Sequence, residues 1–311
     1  MEKLLMPKGN RRNFIKQFSL SLGAMAVSPS LMAHSEYNAK MFFDISLAQW
    51  SLHRKIREGN LDNLDFAWYS KNKFGIEAVE YVNQFFGDKA NDKSYLSEMK
   101  TRAIDNGVKN LLIMIDREGD LGDADANKRK QAVENHYKWV EAAKFLGCHS
   151  IRVNAGGEGS KEELMKAVVE SLRTLSEFAA DYKINVLVEN HGGYSSDGAW
   201  LAETINKVGL KNCGTLPDFG NFVVDRSNDI EYDKYQGVKE LMPFAKGVSA
   251  KCYDFSDDGR ETSIDFEKML KIVKEAKYKG YIGIEYEGNR MSEDEGIMAC
   301  KKLLMDIGSK L

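Results

Sequence analysis

Short apolar runs alternate with amphipathic stretches along most of the chain. The runs have the length of buried strands, about four to eight residues. Eight such strands are predicted, at Phe43–Gln49, Ile76–Val82, Val108–Ile115, Ser150–Asn154, Asn185–Val188, Cys213–Asp218, Gly247–Cys252 and Tyr281–Glu287. The stretch after each strand carries apolar residues at helical spacing. Strand–helix pairs that recur about every 30 residues predict an α/β fold, a single (β/α)8 TIM barrel.

The amphipathic stretches predict one helix after each strand. They span Leu61–Lys73, Lys93–Asp105, Ala126–Leu146, Lys161–Tyr182, Gly198–Val208, Tyr232–Phe244, Ile264–Ala276 and Ser292–Ile307. Two helices begin with a capping box, in which a serine and a later glutamate bond each other's free backbone N–H groups. The boxes are Ser160 with Glu163 and Ser292 with Glu295. An open doubly wound sheet is the alternative fold, but no GxGxxG motif follows the first strand to support it.

Residues 1–33 have the features of an export signal. Basic residues, among them the pair Arg11 and Arg12, precede an uncharged run of small and apolar residues from Phe18 to Ala33. This pattern resembles a twin-arginine signal and predicts a periplasmic protein whose barrel occupies residues 34–311. An uncleaved membrane anchor is the alternative, but the run is shorter than the roughly 20 residues that a spanning helix needs. We therefore expect no membrane association after signal removal.

Composition narrows the classes of partner. The net charge of the 311 residues is −3, so no basic surplus is present to bind a nucleic acid backbone. The four cysteines are far apart and form no CxxC pair, which favours buried thiols over disulfides. The oligomeric state is left open by the sequence, and a homo-oligomer is one possibility.

Polar side chains stand at the ends of most predicted strands. In a (β/α)8 barrel the carboxyl ends of the strands meet at one face, where active sites lie. Burying polar groups there is costly unless they meet a ligand, a metal or each other. The candidate site residues are Trp50, His53, Glu80, Arg152, Asn154, Glu189, His191, Asp218, Asn221, Lys251, Glu285 and Glu287.

Three of these carboxylates, Glu189, Asp218 and Glu285, are predicted to converge on one divalent cation, Mn, Mg or Zn. Glu189 and Glu285 come from different sides of the barrel mouth and would flank a bound sugar on two faces. That arrangement suits proton transfer next to a carbonyl. The alternative is that each carboxylate pairs with Arg152 or Lys251 at the rim. A set of like charges without a compensating cation is unfavourable, which favours a site.

Five motifs together resemble the xylose isomerase-like TIM-barrel superfamily, the sugar phosphate isomerase/epimerase group. The motifs are LAQWSL at 47–52, VENHGG at 188–193, TLPDFGN at 215–221, SAKCYDF at 249–255 and GIEYEG at 283–288. The resemblance covers about residues 43 to 308. It implies that Glu189, Asp218 and Glu285 bind a divalent metal and that the two glutamates act as acid and base. Ser249 stands where the family has a metal-binding histidine. Either His191 or a water completes the shell, or binding is weak, or the Lys251 ammonium replaces the charge of the metal.

The resulting expectation is an isomerase or epimerase of a sugar or keto-sugar, with Glu189, Glu285 and Lys251 as catalytic residues. Substrate contacts are expected from Trp50, His53, Glu80, Arg152, Asn154, His191, Asn221 and Glu287. One alternative is a lyase or dehydratase acting on keto-sugars or 3-keto-glycosides. Another is a non-catalytic sugar-binding barrel, which the serine at 249 favours. The DNA-repair branch of the superfamily, endonuclease IV, needs a histidine-rich zinc site, and this chain has only five histidines.

Overall fold

The computed structural model describes residues 41–311. Residues 1–40, which include the predicted export signal at 1–33, lie outside the described residues. The described strands are β1 Asp44–Ala48, β2 Ala78–Val82, β3 Lys109–Met114, β4 Ser150–Asn154, β5 Asn185–Glu189, β6 Cys213–Leu216, β7 Val223–Asp225, β8 Ile230–Glu231, β9 Val248–Cys252 and β10 Tyr281–Tyr286. Eight of them are parallel neighbours in the order β6-β5-β4-β3-β2-β1-β10-β9, and β7 pairs with β8 as a small antiparallel hairpin.

The two end strands of this sheet, β6 and β9, meet through isolated bridges. Ser249 N–H donates to the Pro217 carbonyl at 2.9 Å, and Phe219 N–H donates to the Ser249 carbonyl at 3.1 Å. Because Pro217 has no N–H, it cannot continue a regular ladder, which ends β6 two residues before the predicted Asp218. These bonds close the sheet, so the predicted TIM barrel is confirmed.

A helix follows each parallel strand, and β1 is followed by two. They are α1 His53–Arg57, α2 Phe66–Phe74, α3 Lys93–Asp105, α4 Ala126–Leu146, α5 Lys161–Asp181, α6 Gly198–Val208, α7 Lys234–Leu241, α8 Phe266–Glu275 and α9 Glu293–Gly308. Both predicted capping boxes are confirmed, at the starts of α5 and α9. Among the described helices, none is long and apolar enough to cross a membrane.

Three stretches differ from the sequence prediction. The short helix α1 was not predicted. Residues 221–231, where no strand is predicted, contain the β7–β8 hairpin. The predicted helix Tyr232–Phe244 is α7 followed by a 3-10 turn at Met242–Phe244, because Pro243 lacks the N–H that an α-helix needs there.

Side chains alternate between the helices and the barrel interior, because successive residues of a strand point to opposite faces. The outward residues of β9 and β10 pack in the main apolar core, and they are Val248, Ala250, Cys252, Ile282, Ile284 and Tyr286. Ser249, Lys251 and Glu285 therefore face into the barrel. The four cysteines are buried free thiols, as predicted.

Candidate active site

Three carboxylates meet inside the mouth of the barrel, and we call them the carboxylate cluster. Glu189 ends β5, Asp218 follows β6, and Glu285 lies on β10. One oxygen from each residue lies within 4.8 Å of the others. Their exposures are 0%, 0% and 4%, so water does not solvate these charges freely. The structure therefore brings together the three residues predicted to bind a metal.

The loop after β6 holds Asp218 in place. Its Oδ1 accepts from the backbone N–H groups of Gly220 and Asn221, both at 2.8 Å. Asn190 holds the same segment from β5, because its amide donates to the Asp218 carbonyl and accepts from the Asp218 N–H. The Asn221 side chain in turn donates to Glu189 Oε1 at 3.0 Å. Asp218 and Glu189 are thus fixed by one loop.

Ser249 lies between two members of the carboxylate cluster. Its hydroxyl is 2.7 Å from Asp218 Oδ2 and 3.2 Å from Glu285 Oε2. A hydroxyl carries one hydrogen, so it donates to one carboxylate at a time. Ser249 therefore bridges the two carboxylates at the position where the resemblance leads one to expect an imidazole.

Lys251 places an ammonium group inside the barrel. The residue is 2% exposed, and its Nζ lies 2.7 Å from Glu285 Oε1 and 3.4 Å from Glu287 Oε2. Burial acts against the charge, but Glu285 and then Asp218 outweigh it and hold the pKa of Lys251 well above its usual range. The ammonium is therefore charged and sits against one edge of the carboxylate cluster.

Arg152 is held between two acids. Its Nη1 donates to Asp116 at 2.7 Å, and its Nε forms an ion pair with Glu189 Oε2 at 2.8 Å. The contact between Nε and Glu189 is not aligned as a hydrogen bond. Within residues 41–311, Arg152 Nε and Glu189 Oε2 therefore both lack a hydrogen-bond partner. Asn154 donates to the same Asp116 oxygen at 2.9 Å. Asp116 and Asn154 thus both accept from Nη1 of Arg152, whereas Glu189 Oε2 faces the guanidinium as an ion pair without an aligned hydrogen bond.

The glutamates of the cluster titrate differently. Burial raises the pKa of Glu189 to about 7, with Arg152 opposing and Glu285 adding to the shift. Burial likewise raises the pKa of Asp218 to about 7. Burial also acts on Glu285, but the nearby Lys251 ammonium holds the pKa of Glu285 below its usual value. Glu285 is therefore ionised at neutral pH, whereas Glu189 and Asp218 gain and lose protons at a pH close to neutral.

The carboxylate cluster fits a divalent cation. Arg152 and Lys251 carry two positive charges, against four negative charges on Asp116 and the three carboxylates of the cluster when all are ionised. Glu287 beside Lys251 adds to this excess of negative charge. Glu189 Oε2 is buried and forms no hydrogen bond to any described residue. Carboxylate oxygens are the ligands that Mg²⁺ and Mn²⁺ prefer, and Zn²⁺ also accepts them.

Four other predicted substrate contacts lie at different depths in the barrel, and they are Glu80, Trp50, His53 and Glu287. Glu80 is deep in the barrel, 3% exposed, and accepts from Ser46 Oγ at 2.6 Å. Burial raises its pKa to about 7. At the rim, the Trp50 indole donates to Glu287, and its ring stacks on His53 with centroids 4.9 Å apart. His53 Nδ1 lies 2.7 Å from the Trp50 carbonyl oxygen, so Trp50 and His53 hold each other in place. Neither residue belongs to the carboxylate cluster.

His191 lies at the outer edge of the mouth. Its side chain is exposed, yet enough protein surrounds the ring that desolvation, followed by the charge of Arg152, lowers the pKa of the imidazole. Its backbone N–H donates to Ser195 Oγ at 3.0 Å, which fixes the turn after β5. The neutral ring is available to a ligand.

Sequence reasoning missed two residues of the mouth. Asp116, the partner of Arg152, comes directly after the third predicted strand and matches the strand-end pattern, but it is not among the predicted site residues. Tyr253, which follows β9 directly, lies in the motif SAKCYDF but is not among the predicted site residues. Its place two residues after Lys251, just beyond the strand, was the available signal.

A family model described as xylose isomerase-like TIM barrel matches residues 71–303. The chain belongs to this family, which confirms the predicted resemblance. A stretch of 149 residues is 28% identical to inosose dehydratase from Clostridium botulinum (strain Eklund 17B / Type B), covering 40% of this chain and 48% of that protein. The chain thus matches about half the length of the curated relatives.

Solved structures share the fold at low sequence identity. The IOLI protein with a bound zinc atom has a TM-score of 0.65 and 17% identity, over 86% of this chain and 99% of that chain. The 3-keto-D-glucoside 4-epimerase from E. coli has a TM-score of 0.59 and 18% identity, over 85% of this chain and 99% of that chain. At such identities the similarity establishes the architecture.

Proposed function

We propose that this chain is an isomerase or epimerase of a neutral sugar or keto-sugar and that it transfers a proton next to a carbonyl. The observation that carries the proposal is the pair Glu189 and Glu285, buried on β5 and β10 and separated in pKa by Lys251. Two titratable groups whose surroundings push their pKa values apart suit opposite roles in acid–base catalysis. The similarity to an epimerase and a dehydratase supports a carbonyl-adjacent reaction.

The pKa values suggest how the roles divide. Glu285, which is ionised, accepts the proton from the carbon next to the carbonyl. Glu189, which in the metal-free chain is protonated for part of the time near neutral pH, returns a proton from the other side of the mouth. Lys251 donates a hydrogen bond to Glu285 and forms an ion pair with Glu287, so it keeps N–H donors for the oxygen on which negative charge develops.

Glu189, Asp218 and Glu285 would hold a divalent metal. When bound, such an ion polarises a carbonyl as a Lewis acid. Asn221 and Asn190 would keep two of the ligands oriented through the hydrogen bonds described above, since groups that bond a ligand's free atoms fix its direction. Trp50, Asn154 and the rim histidines His53 and His191 would contact the sugar.

A dehydratase is the second candidate, and the identity to inosose dehydratase favours it. The same proton removal by Glu285 would be followed by loss of the hydroxyl two carbons from the carbonyl carbon. The electron pair forms a C=C bond, and the hydroxyl leaves as water with a proton from Glu189. The two reactions share their first step, so a single assay can detect both and then separate them.

The deciding experiment follows exchange of the proton next to the carbonyl in deuterated water. We expect the full chain to incorporate deuterium into at least one member of a panel of ketohexoses, inososes and 3-keto-glucosides, as measured by proton NMR. Appearance of an epimer or isomer supports the first candidate. Appearance of an enone or of a deoxy dicarbonyl product supports the second. Binding of a panel member without exchange would leave only the sugar-binding barrel.

Metal binding should depend on pH. In the metal-free chain the pKa values of Glu189 and Asp218 are about 7, above the roughly 4 expected when unfolded. The folded chain therefore retains protons that the unfolded chain has lost, and its stability should fall as pH rises through 7. Protons and metal compete for the same oxygens, so Mn, Mg or Zn should stabilise the fold more at about pH 8.5 than at about pH 6.

Thermal unfolding in chelator and in each metal, at both pH values, tests this expectation. Glu189→Gln should reduce the metal-induced rise in Tm. A conservative exchange on the outer surface, Glu203→Gln, should leave it unchanged, because Glu203 pairs only with the exposed Lys207 in the described chain. Equal Tm values with and without metal at both pH values would contradict a metal site.

A further inference from the structure

Tyr253 presents an unused hydroxyl at the barrel mouth. The residue follows β9 directly and its side chain is half-buried. Its hydroxyl forms no hydrogen bond to another residue in the part of the chain described. A partly buried hydroxyl without a partner is a group to which a ligand can bond at little cost.

The backbone around Tyr253 is fixed on two sides. Its N–H donates to Glu261 Oε1 at 3.2 Å. On the other side Gly288 packs directly against it, since a Cβ on Gly288 would lie 1.7 Å from the Tyr253 carbonyl oxygen. No other residue type fits at 288 without moving the backbone. The backbone that carries the ring is therefore fixed before any ligand arrives, which lowers the entropy lost on binding.

The hydroxyl lies beside the carboxylate cluster. A Cβ on Gly220 would come 3.0 Å from Tyr253 Oη and 2.7 Å from Lys251 Cγ, so the hydroxyl and the stem of Lys251 share one side of the Asp218 loop. Burial, followed by the charge of Asp218, raises the pKa of Tyr253 above its usual value. The group is therefore a neutral O–H, able both to donate and to accept.

We propose that the Tyr253 hydroxyl binds a hydroxyl group of the sugar next to the reacting carbon, and that it helps to select the substrate. The proposal rests on the proposed function, since it assumes a polyhydroxylated ligand in this mouth. A sugar hydroxyl satisfies both capacities of the phenol, whereas an apolar group at that place would leave the phenol unpaired. Tyr253 is thereby a specificity-determining residue.

The test compares binding by wild type and by Tyr253→Phe. The probes are D-fructose, a neutral ketohexose, and its series of monodeoxy analogues, titrated by NMR. We expect Tyr253→Phe to weaken D-fructose binding about three- to tenfold, the share of one hydrogen bond. We also expect one deoxy analogue to bind wild type and variant equally, because the contacted hydroxyl is missing from both complexes.

The matched control is Tyr137→Phe. Tyr137 stacks on Phe178 on the helical layer, and its hydroxyl also has no hydrogen-bond partner among residues 41–311. The Tyr137→Phe variant should bind all probes as wild type does. Equal D-fructose binding by wild type and Tyr253→Phe overturns the proposal, as does an equal loss for every deoxy analogue. If wild type binds no member of the series, the proposed function fails for ketohexoses and this proposal fails with it.

Discussion

Glu285→Gln is expected to lower kcat by a factor of roughly 10² to 10⁴, the contribution of a positioned acid or base. The amide keeps the size of the carboxylate but cannot accept the proton. The measurement is the exchange rate in deuterated water on whichever panel sugar the wild type turns over, with KM and kcat determined separately. Exchange should be lost together with product formation, because Glu285 acts in the first step.

Glu189→Gln should behave differently. Since Glu189 is assigned the return of the proton, exchange at the carbon should persist while epimer formation falls by a similar factor. Glu118→Gln is the matched control, because Glu118 is a partly buried glutamate outside the carboxylate cluster that, like Glu189, forms an ion pair. Its partners are Lys138 and the Trp139 indole. Its kcat should remain near the wild-type value. An unchanged kcat in both Glu285→Gln and Glu189→Gln would contradict the proton-transfer mechanism.

Lys251→Met is expected to destabilise the metal-free fold by about 3 to 5 kcal/mol, since it leaves buried carboxylates without their ammonium. The side chains of Lys251 and Glu285 are 2% and 5% exposed, so solvent cannot replace the lost partner. Chemical denaturation of the chelator-treated protein gives the value. Adding Glu285→Gln to the same chain should recover part of the loss, because it removes one uncompensated charge.

The control for this substitution is Lys207→Met. Lys207 pairs with Glu203 at 2.8 Å on the surface, where both side chains are more than half exposed. Such pairs contribute about 0 to 1 kcal/mol. A loss for Lys251→Met as small as that of the control would mean that the interior carboxylates are protonated and do not need the ammonium.

The strands, most helices and both capping boxes could be predicted because each depends on local pattern. Apolar runs, helical spacing and a serine three residues before a glutamate are properties of neighbouring residues. The polar residues at the ends of the predicted strands also located the carboxylate cluster, since the barrel brings distant strand ends to one face. Loop conformations such as the β7–β8 hairpin had no comparable local signal.

The pairing of charges within the mouth could not be predicted. Whether Arg152 meets Asp116, Glu189 or both depends on side-chain directions and on how strand registers align around the barrel. Lys251 illustrates the point, since only the register that sets it opposite Glu285 shows that its ammonium enters the cluster. Its place two residues from Ser249 on one strand does indicate that the two share a face.

The position of Arg152 links recognition to reactivity. Its guanidinium is shared between Asp116, at the start of a rim loop, and Glu189, the assigned proton donor. A sugar that draws Asp116 toward itself would release the guanidinium to Glu189 and make that carboxyl more acidic at the moment when a proton must be given. Without a bound sugar, Glu189 would then be a weaker acid, and sugar binding itself would raise its acidity.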